Sequence, residues 1–220
     1  MSRERWDNAL PLGRWLEAVA SPQPLPAGGR VASVAGAFAA ALVEKIGRIV
    51  LRSPSRAALH PTAEEVAARA AALRPILLAV GEADDRAYAA VMAARRAVGA
   101  TGAPSMPLHD AELAAARLQA DLIGHVVEVI ALADRLAGRV GTALGADLAT
   151  ARYLAWAVAQ GAHGNVEADL AHLAADPRAE AIRAEVMRAL NLTIYVTGGS
   201  AHSQQQPESP QRKPDPGDAA

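Results

Sequence analysis

Hydrophobic positions recur every three or four residues along most of the chain, which is the spacing of an α-helix. The regularity is greatest between about Leu108 and Arg139, where the apolar positions are Leu113, Leu118, Leu122, Val126, Val129, Ile130, Ala133 and Leu136. A second segment, from about Arg30 to about Arg52, is apolar on nearly every face and rich in alanine. Because a helix that is apolar all round is buried, we expect this segment to be the central helix.

The same periodicity, interrupted by proline and glycine, predicts the remaining helices. They cover Pro11 to Val19, Thr62 (as N-cap) to about Val98, Ala146 to about Ala162, Asn165 to about Ala174, and Pro177 to about Val196. Pro75 leaves two alternatives open, because proline either begins a second helix or kinks one long helix. The prolines and glycines from Ser21 to Gly29 predict an extended loop that leads into the central helix.

Composition strengthens the prediction of an all-α fold. Alanine occupies 55 of the 220 positions, whereas aromatic residues make up 3% of the chain. Alanine loses no side-chain entropy on entering a helix, while strands favour β-branched and aromatic residues. We therefore expect one helical domain over residues 1–196, built from small side chains. The proline-, glutamine- and serine-rich residues 197–220 are expected to form a disordered tail.

Charge and residue types exclude several classes of function. The 22 Lys and Arg against 23 Asp and Glu leave a net charge of −1, without a basic block for nucleic acid. Without cysteine there is no disulfide, thiolate nucleophile or cysteine-bound metal. The six histidines form no His-x-x-x-His or Glu-x-x-His pair, so no metal site is expected. No signal peptide or long apolar stretch appears, which predicts a cytoplasmic protein without a membrane partner.

The loop that opens the central helix is the first candidate for ligand binding. It contains Pro26, Gly28, Gly29 and Arg30. A helix N-terminus presents unpaired N–H groups, and glycine lets a ligand approach the backbone. An ordinary glycine-containing loop at a helix start explains the same residues.

Carboxylate and amide side chains are the other candidates. Asp84 and Tyr88 lie four residues apart and share a helix face, where partial burial would raise the pKa of the carboxylate, as in a general base. A solvated acidic face explains them equally well. Asp147 stands near a predicted helix start, where an acid also complements the helix dipole. Asn165 follows Gly164, a position typical of an N-cap.

Three segments resemble, in order, the cyclodeaminase/cyclohydrolase family, which includes methenyltetrahydrofolate cyclohydrolases and the C-terminal domain of formiminotransferase-cyclodeaminase. They are the loop and small-residue helix over 26–37, the Asp-x-x-Ala-aromatic motif of Asp84 to Tyr88, and Asp147 followed eighteen residues later by Asn165-Val166. The resemblance implies an all-α, multi-helix bundle, a homodimer and a folate pocket around the glycine loop.

The resemblance also implies roles for particular residues. Asp84 is expected to transfer a proton, and Asp147 to stabilise a cationic ring. The residues expected to bind substrate are Pro26, Gly28, Gly29, Arg30, Tyr88 and Asn165, with Arg30 meeting the glutamate carboxylate of a folate. No covalently bound cofactor is expected, and the folate itself is the substrate or ligand.

Five features depart from the family pattern. Ala27 replaces a glycine, Gln119 a proline, Ala143 an asparagine and Asp169 a further asparagine, and the segment after the central helix lacks the usual Asn and Lys-containing stretch. These departures predict a folate site that is short of polar groups.

Three hypotheses for function follow. In the first, the protein is an enzyme that opens or closes a one-carbon bridge on tetrahydrofolate, either as a cyclohydrolase or as a cyclodeaminase. In the second, the scaffold acts on another nitrogen heterocycle or on an amine in specialised biosynthesis. In the third, a non-catalytic helical dimer binds a ligand.

Overall fold

The computed structural model of the protein describes residues 11–101 and 105–198, which contain helices and no strand. This confirms the all-α prediction. The helices are α1 (Leu12–Ala20), α2 (Gly28–Leu51), α3 (His60–Thr101), α4 (Met106–Asp134), α5 (Thr142–Asp169), α6 (Pro177–Asn191) and α7 (Tyr195–Gly198), with a 3₁₀ helix over Pro54–Leu59. The expected disordered tail over 197–220 lies, from residue 199 onward, outside the described residues.

Helix α2 is the central element of the bundle. It packs against α3, α4 and α5, and twelve of its 24 residues are buried. Ala39, Ala40 and Val43 are fully buried on its inner faces, which confirms the predicted alanine-rich central helix. The helix begins at Gly28 instead of Arg30, because the Val31 N–H already bonds to the Ala27 carbonyl. Both glycines of the loop therefore belong to its first turn.

Gly47 marks the close crossing of α2 and α3. A Cβ at this position would lie 2.9 Å from the Ala63 carbonyl oxygen and 2.9 Å from the Ala67 Cβ. We expect Gly47→Ala to lower the free energy of unfolding by about 1–3 kcal/mol, because these two atoms cannot both move away without shifting α3. Urea denaturation measures this loss.

The matched control for that substitution is Gly124→Ala on α4. A Cβ at Gly124 would have nothing within 4 Å, so alanine should raise stability by about 0.5–1 kcal/mol through helix propensity alone. Equal stabilities of the Gly47→Ala variant and the unsubstituted protein would contradict the close packing of α2 on α3.

Helix α3 is longer than the sequence predicts. It begins at His60, with Pro61 in its first turn, because the preceding 3₁₀ helix leads directly into it. The prediction of Thr62 as its N-cap is therefore wrong. Of the two alternatives at Pro75, the structure has a single long helix with this proline inside it. Pro75 is exposed, so the backbone bond that it removes lies on the outer side of the bundle.

Helix α5 corrects two further predictions. The two helices expected on either side of Gly164 are one continuous helix, and Asn165 lies in its last turns instead of at an N-cap. The buried positions Ala155, Ala159, Ala162 and Val166 run through this region without interruption. Their packing outweighs the cost of about 1 kcal/mol for glycine inside a helix.

Helix α4 ends earlier than its periodicity suggests. The pattern extends to Arg139, but the helix ends at Asp134 and continues as turns. Gly138 then adopts a positive φ of 72°, a conformation that glycine accommodates without steric cost. The chain reverses there and enters α5.

Candidate active site

A pocket of about 220 Å³ opens where the first turn of α2 meets α3, α4 and α5. Its polar wall consists of Asp84, Tyr88, Arg95, Asn165 and Asp169, and Gly28 and Gly29 form its backbone side. The structure thus brings together five of the residues selected from the sequence, namely Gly28, Gly29, Asp84, Tyr88 and Asn165.

Asp84 is held by a chain of amide side chains that crosses three helices. The Gln119 side chain, on α4, donates from Nε2 to Asp84 Oδ1 at 2.6 Å. Asn165, on α5, donates from Nδ2 to Gln119 Oε1 at 3.4 Å. Gln119 is almost completely buried. Its amide therefore has few other orientations, and it holds one carboxylate oxygen of Asp84 in place.

Gly29 allows this arrangement to lie directly against the start of α2. A Cβ on Gly29 would overlap both Asp84 Oδ2 and Gln119 Nε2, and would lie 2.7 Å from Asp84 Cγ. By contrast, a Cβ on Gly28 would have nothing within 4 Å. The two adjacent glycines therefore differ in function: only Gly29 is needed for the position of the carboxylate.

The surroundings of Asp84 favour its protonated form. Burial raises the pKa of the Asp84 carboxyl, while the hydrogen bond from Gln119 and the positive charge of Arg30 act in the opposite direction. A carboxyl whose pKa lies above its usual range holds a proton closer to neutral pH, which is the property of a proton-transfer group. The pKa of Asp84 is therefore raised, as the sequence led us to expect.

Asp169 is a second perturbed carboxyl in the same pocket. Its pKa is raised to about 6, chiefly by burial and further by the negative charges of Asp84 and Glu112, while the positive charge of Arg95 acts in the opposite direction. Two carboxylates that line one small pocket disfavour each other's ionisation. The negative charge of Asp84 is accordingly one cause of the raised pKa of Asp169.

Arg30 lies inside the protein instead of in the pocket. Its side chain is fully buried, with Nη1 3.9 Å from Asp85 Oδ2 and Nη2 3.9 Å from Glu82 Oε1. This guanidinium is enclosed between α2 and α3 and does not line the pocket, so the expected contact of Arg30 with a ligand carboxylate stays a prediction that this pocket does not support. Pro26 is also buried, next to the pocket-lining Ala27, and follows a cis peptide bond.

Asp147 is not brought to this pocket. It lies near the start of α5 and accepts a hydrogen bond from Lys45 Nζ at 2.8 Å. Asn165, on the same helix, is eighteen residues further along the chain, which is roughly 27 Å along the helix axis. Lys45 lines a different, wider opening near the C-terminal end of α2. The catalytic assignment of Asp147 stays a prediction that the pocket of a single chain does not support.

The structure adds four polar residues that sequence reasoning did not select: Arg95, Glu112, Gln119 and Asp169. Gln119 and Asp169 were considered only as departures that would deprive the site of polar groups, and for these two that expectation is wrong. Asp169 follows Asn165 by four residues, so a shared helix face was a usable signal. Gln119 gave no such signal, because its link to Asp84 crosses from α4 to α3.

Replacing Gln119 with leucine tests how this amide tunes Asp84. Because its hydrogen bond lowers the pKa of Asp84, we expect Gln119→Leu to raise that pKa further. Carbon-13 NMR titration of the Asp84 carboxyl measures the change. Gln160→Leu, at an exposed glutamine of α5, is the control and should leave the titration unchanged. An unaltered Asp84 titration in Gln119→Leu would rule out the tuning role.

Across 11–101 and 105–198, no group of three His, Asp or Glu side chains is placed to hold a metal ion. None of the helices in these ranges combines the length and the apolar content needed to cross a bilayer.

The fold and the pocket together define a class of protein: an all-α bundle with a partly buried carboxyl of raised pKa beside a helix that opens with glycine. A sequence model of the formiminotransferase-cyclodeaminase family matches residues 11–188, and the chain belongs to this family. Among solved structures, formiminotetrahydrofolate cyclodeaminase from Thermotoga maritima is similar in fold, with a TM-score of 0.72 and 24% identity over 87% of this chain and 97% of that one. No curated protein sequence matches.

Proposed function

We propose that this protein is an enzyme that makes or breaks a C–N bond of a one-carbon bridge on tetrahydrofolate. Family membership and the likeness to the Thermotoga cyclodeaminase support this proposal. The observation that carries it is the environment of Asp84 beside the N-terminus of α2. Its carboxyl is partly buried, has a raised pKa and accepts a hydrogen bond from Gln119.

The chemistry of such a bridge calls for a group of this kind. In a cyclodeaminase, a neighbouring nitrogen attacks the formimino carbon and ammonia leaves. In a cyclohydrolase, water adds to the cationic methenyl carbon and the adduct opens to the formyl form. Both reactions move a proton away from the attacking group and return one to a nitrogen. We assign both transfers to Asp84.

The pocket has the size of one end of a folate. Its volume of about 220 Å³ is smaller than the roughly 300–1,000 Å³ of a pocket that encloses a drug-sized ligand. We therefore assign the pocket to the heterocycle with its one-carbon group, with the remainder of the folate outside. Gly28 and Gly29 present the N-terminal backbone of α2, and Val91 and Met92 provide apolar contact for a ring.

The test presents the protein with 5-formiminotetrahydrofolate and with 5,10-methenyltetrahydrofolate in separate reactions. The near-ultraviolet absorbance of the methenyl bridge increases in the first reaction if the protein is a cyclodeaminase. It decreases in the second if the protein is a cyclohydrolase. Release of ammonia confirms the first assignment. If correctly folded protein changes neither absorbance, the folate proposal is rejected.

A second candidate is the same scaffold acting on another nitrogen heterocycle or on an amine. Asp169 favours it, because this carboxyl adds a potential negative charge to the pocket wall. A thermal-shift screen with folates, heterocycles and amines separates the two candidates, since a ligand that binds only the folded state raises the melting temperature.

The homodimer implied by the resemblance is part of the proposal. Large apolar side chains are exposed on one chain, among them Leu12, Leu16, Phe38 and Tyr153. A small-residue core gains from covering such surface between two subunits. A cytoplasmic location likewise remains proposed.

A further inference from the structure

A wider opening, of about 420 Å³, lies beside the C-terminal half of α2. Its walls include Glu44, Lys45, Arg48, Ile49 and Arg52 of α2 and Arg74 of α3. None of these residues lines the pocket of Asp84. Lys45 follows Gly29 by sixteen residues, which is roughly 24 Å along the helix axis. Within one chain, the opening is therefore separate from the proposed active site.

Positive charge exceeds negative charge at this opening. Its four cationic side chains are Lys45, Arg48, Arg52 and Arg74. One carboxylate, that of Glu44, lines the opening with them, and a second, that of Asp147, pairs with Lys45 at 2.8 Å. The C-terminal end of a helix adds only about half a negative charge. A chain with a net charge of −1 thus concentrates unbalanced positive charge at one place.

Glu44 anchors two of the arginines. Its side chain is only 7% exposed, and each of its oxygens takes one guanidinium: Arg48 Nη2 lies 2.5 Å from Oε1, and Arg74 Nε lies 2.7 Å from Oε2. A single carboxylate can accept only some of the N–H donors of two guanidiniums. Arg48 and Arg74 are therefore held side by side with donors left for a ligand.

Arg52 is a cation without a partner among the described residues. Its side chain is exposed and forms no ion pair or hydrogen bond with them. By contrast, Arg117 and Arg178 each contact two carboxylates on the surface of the bundle. Arg52 follows Arg48 by four residues, so the two share a helix face. Its guanidinium is therefore available at the opening that Arg48 and Arg74 also line.

We infer that this opening binds a small polyvalent oxyanion, with two adjacent phosphoryl or carboxylate groups, through Arg48, Arg52 and Arg74. Guanidinium groups match such oxygens with paired, charge-assisted hydrogen bonds. A monovalent anion balances only part of the excess charge, whereas a polyvalent anion balances more of it. Because the opening is separate from the pocket of Asp84, the inference does not depend on the folate reaction.

The experiment titrates the full chain with inorganic pyrophosphate, glutarate and acetate, monitored by NMR at pH 7 and low ionic strength. Pyrophosphate and glutarate represent the two sources of a polyvalent oxyanion, and acetate is the monovalent comparison. The tighter of the two polyvalent anions should have a dissociation constant at least about tenfold lower than that of acetate. The backbone signals of Ile49 and Arg52 should shift, whereas those of Gly28 and Val91 in the other pocket should not.

Arg52→Gln tests the site without breaking an ion pair of the described residues, so the fold should be retained. It should raise the dissociation constant of the tighter anion about tenfold, because it removes a charge-assisted hydrogen bond. Arg48→Gln should also weaken binding, while Glu44 keeps its ion pair with Arg74. Arg188→Gln, at an exposed arginine of α6 outside the opening, is the control and should leave the affinity unchanged.

The melting temperature provides an independent readout, since a ligand that binds only the folded state raises it. The tighter anion should raise the melting temperature of the unsubstituted protein and of Arg188→Gln to the same extent. It should raise that of Arg52→Gln clearly less. General stabilisation by an excluded salt would raise all three equally and would contradict the site.

Three further results would overturn the inference: acetate binding as tightly as both polyvalent anions, no measurable binding of either, or undiminished binding in Arg52→Gln. If the site is present, tighter binding of pyrophosphate assigns it to a phosphoryl ligand, and tighter binding of glutarate assigns it to a dicarboxylate. None of these results depends on folate turnover. A protein that binds the anion but converts neither folate would keep this inference and reject the proposed reaction, and folate turnover without anion binding would do the reverse.

Discussion

Asp84→Asn is expected to lower turnover by roughly two to four orders of magnitude on the folate that the protein converts, while the fold is retained. Asparagine keeps the size of the side chain and can still contact Gln119, but it cannot accept and return a proton. In the proposed mechanism the carboxyl of Asp84, whose pKa is raised, transfers the proton, and the substitution removes that carboxyl. Initial rates at saturating substrate, with a thermal melt of the same sample, measure both parts of this expectation.

Two further carboxylates make this experiment specific. Asp121→Asn is the control, because Asp121 forms a surface ion pair with Arg117 at 2.8 Å and should leave turnover within a few-fold. Asp147→Asn decides the role predicted from the sequence: a large loss would place Asp147 in the reaction, and a small one would restrict the chemistry to the pocket of Asp84. Turnover by Asp84→Asn close to that of the unsubstituted protein would remove Asp84 from the mechanism.

Gly29→Ala is expected to reduce kcat/KM by roughly 10- to 100-fold without replacing any polar group. The added Cβ overlaps Asp84 Oδ2 and Gln119 Nε2, so the carboxylate and the amide that orients it must both move. A displacement of about 1 Å in a reacting group is enough for a loss of about 100-fold. Both contacts are with the ends of side chains, so the fold tolerates the change better than it tolerates Gly47→Ala.

The neighbouring residue supplies the control for this second prediction. Gly28→Ala adds the same methyl group one position earlier, where nothing lies within 4 Å, and should leave kcat/KM within a few-fold. Steady-state kinetics and urea denaturation of the two variants separate displacement of the site from a general effect on α2. Equal kinetics for both alanine variants would contradict the role assigned to Gly29.

Local periodicity was sufficient to predict the class of fold. Alanine content and the three-to-four spacing are properties of short segments, and each segment carries its own helical preference. The same local logic placed Asp84 and Tyr88 on one face of a helix, and the pocket contains both. Boundaries were less predictable, because packing carries α5 through Gly164 and α3 past Pro75.

The sequence by itself determined the all-α fold and the buried central helix, and its resemblance to a family implied a pocket around the glycine loop. Only the tertiary structure decided which polar residues share the site. Gln119 reaches Asp84 from 35 residues away along the chain, Asp169 meets the same pocket from α5, and Asp147 pairs with Lys45 elsewhere. The physical reason is that periodicity specifies which face of a helix is buried, while the neighbour across that face depends on how the helices pack.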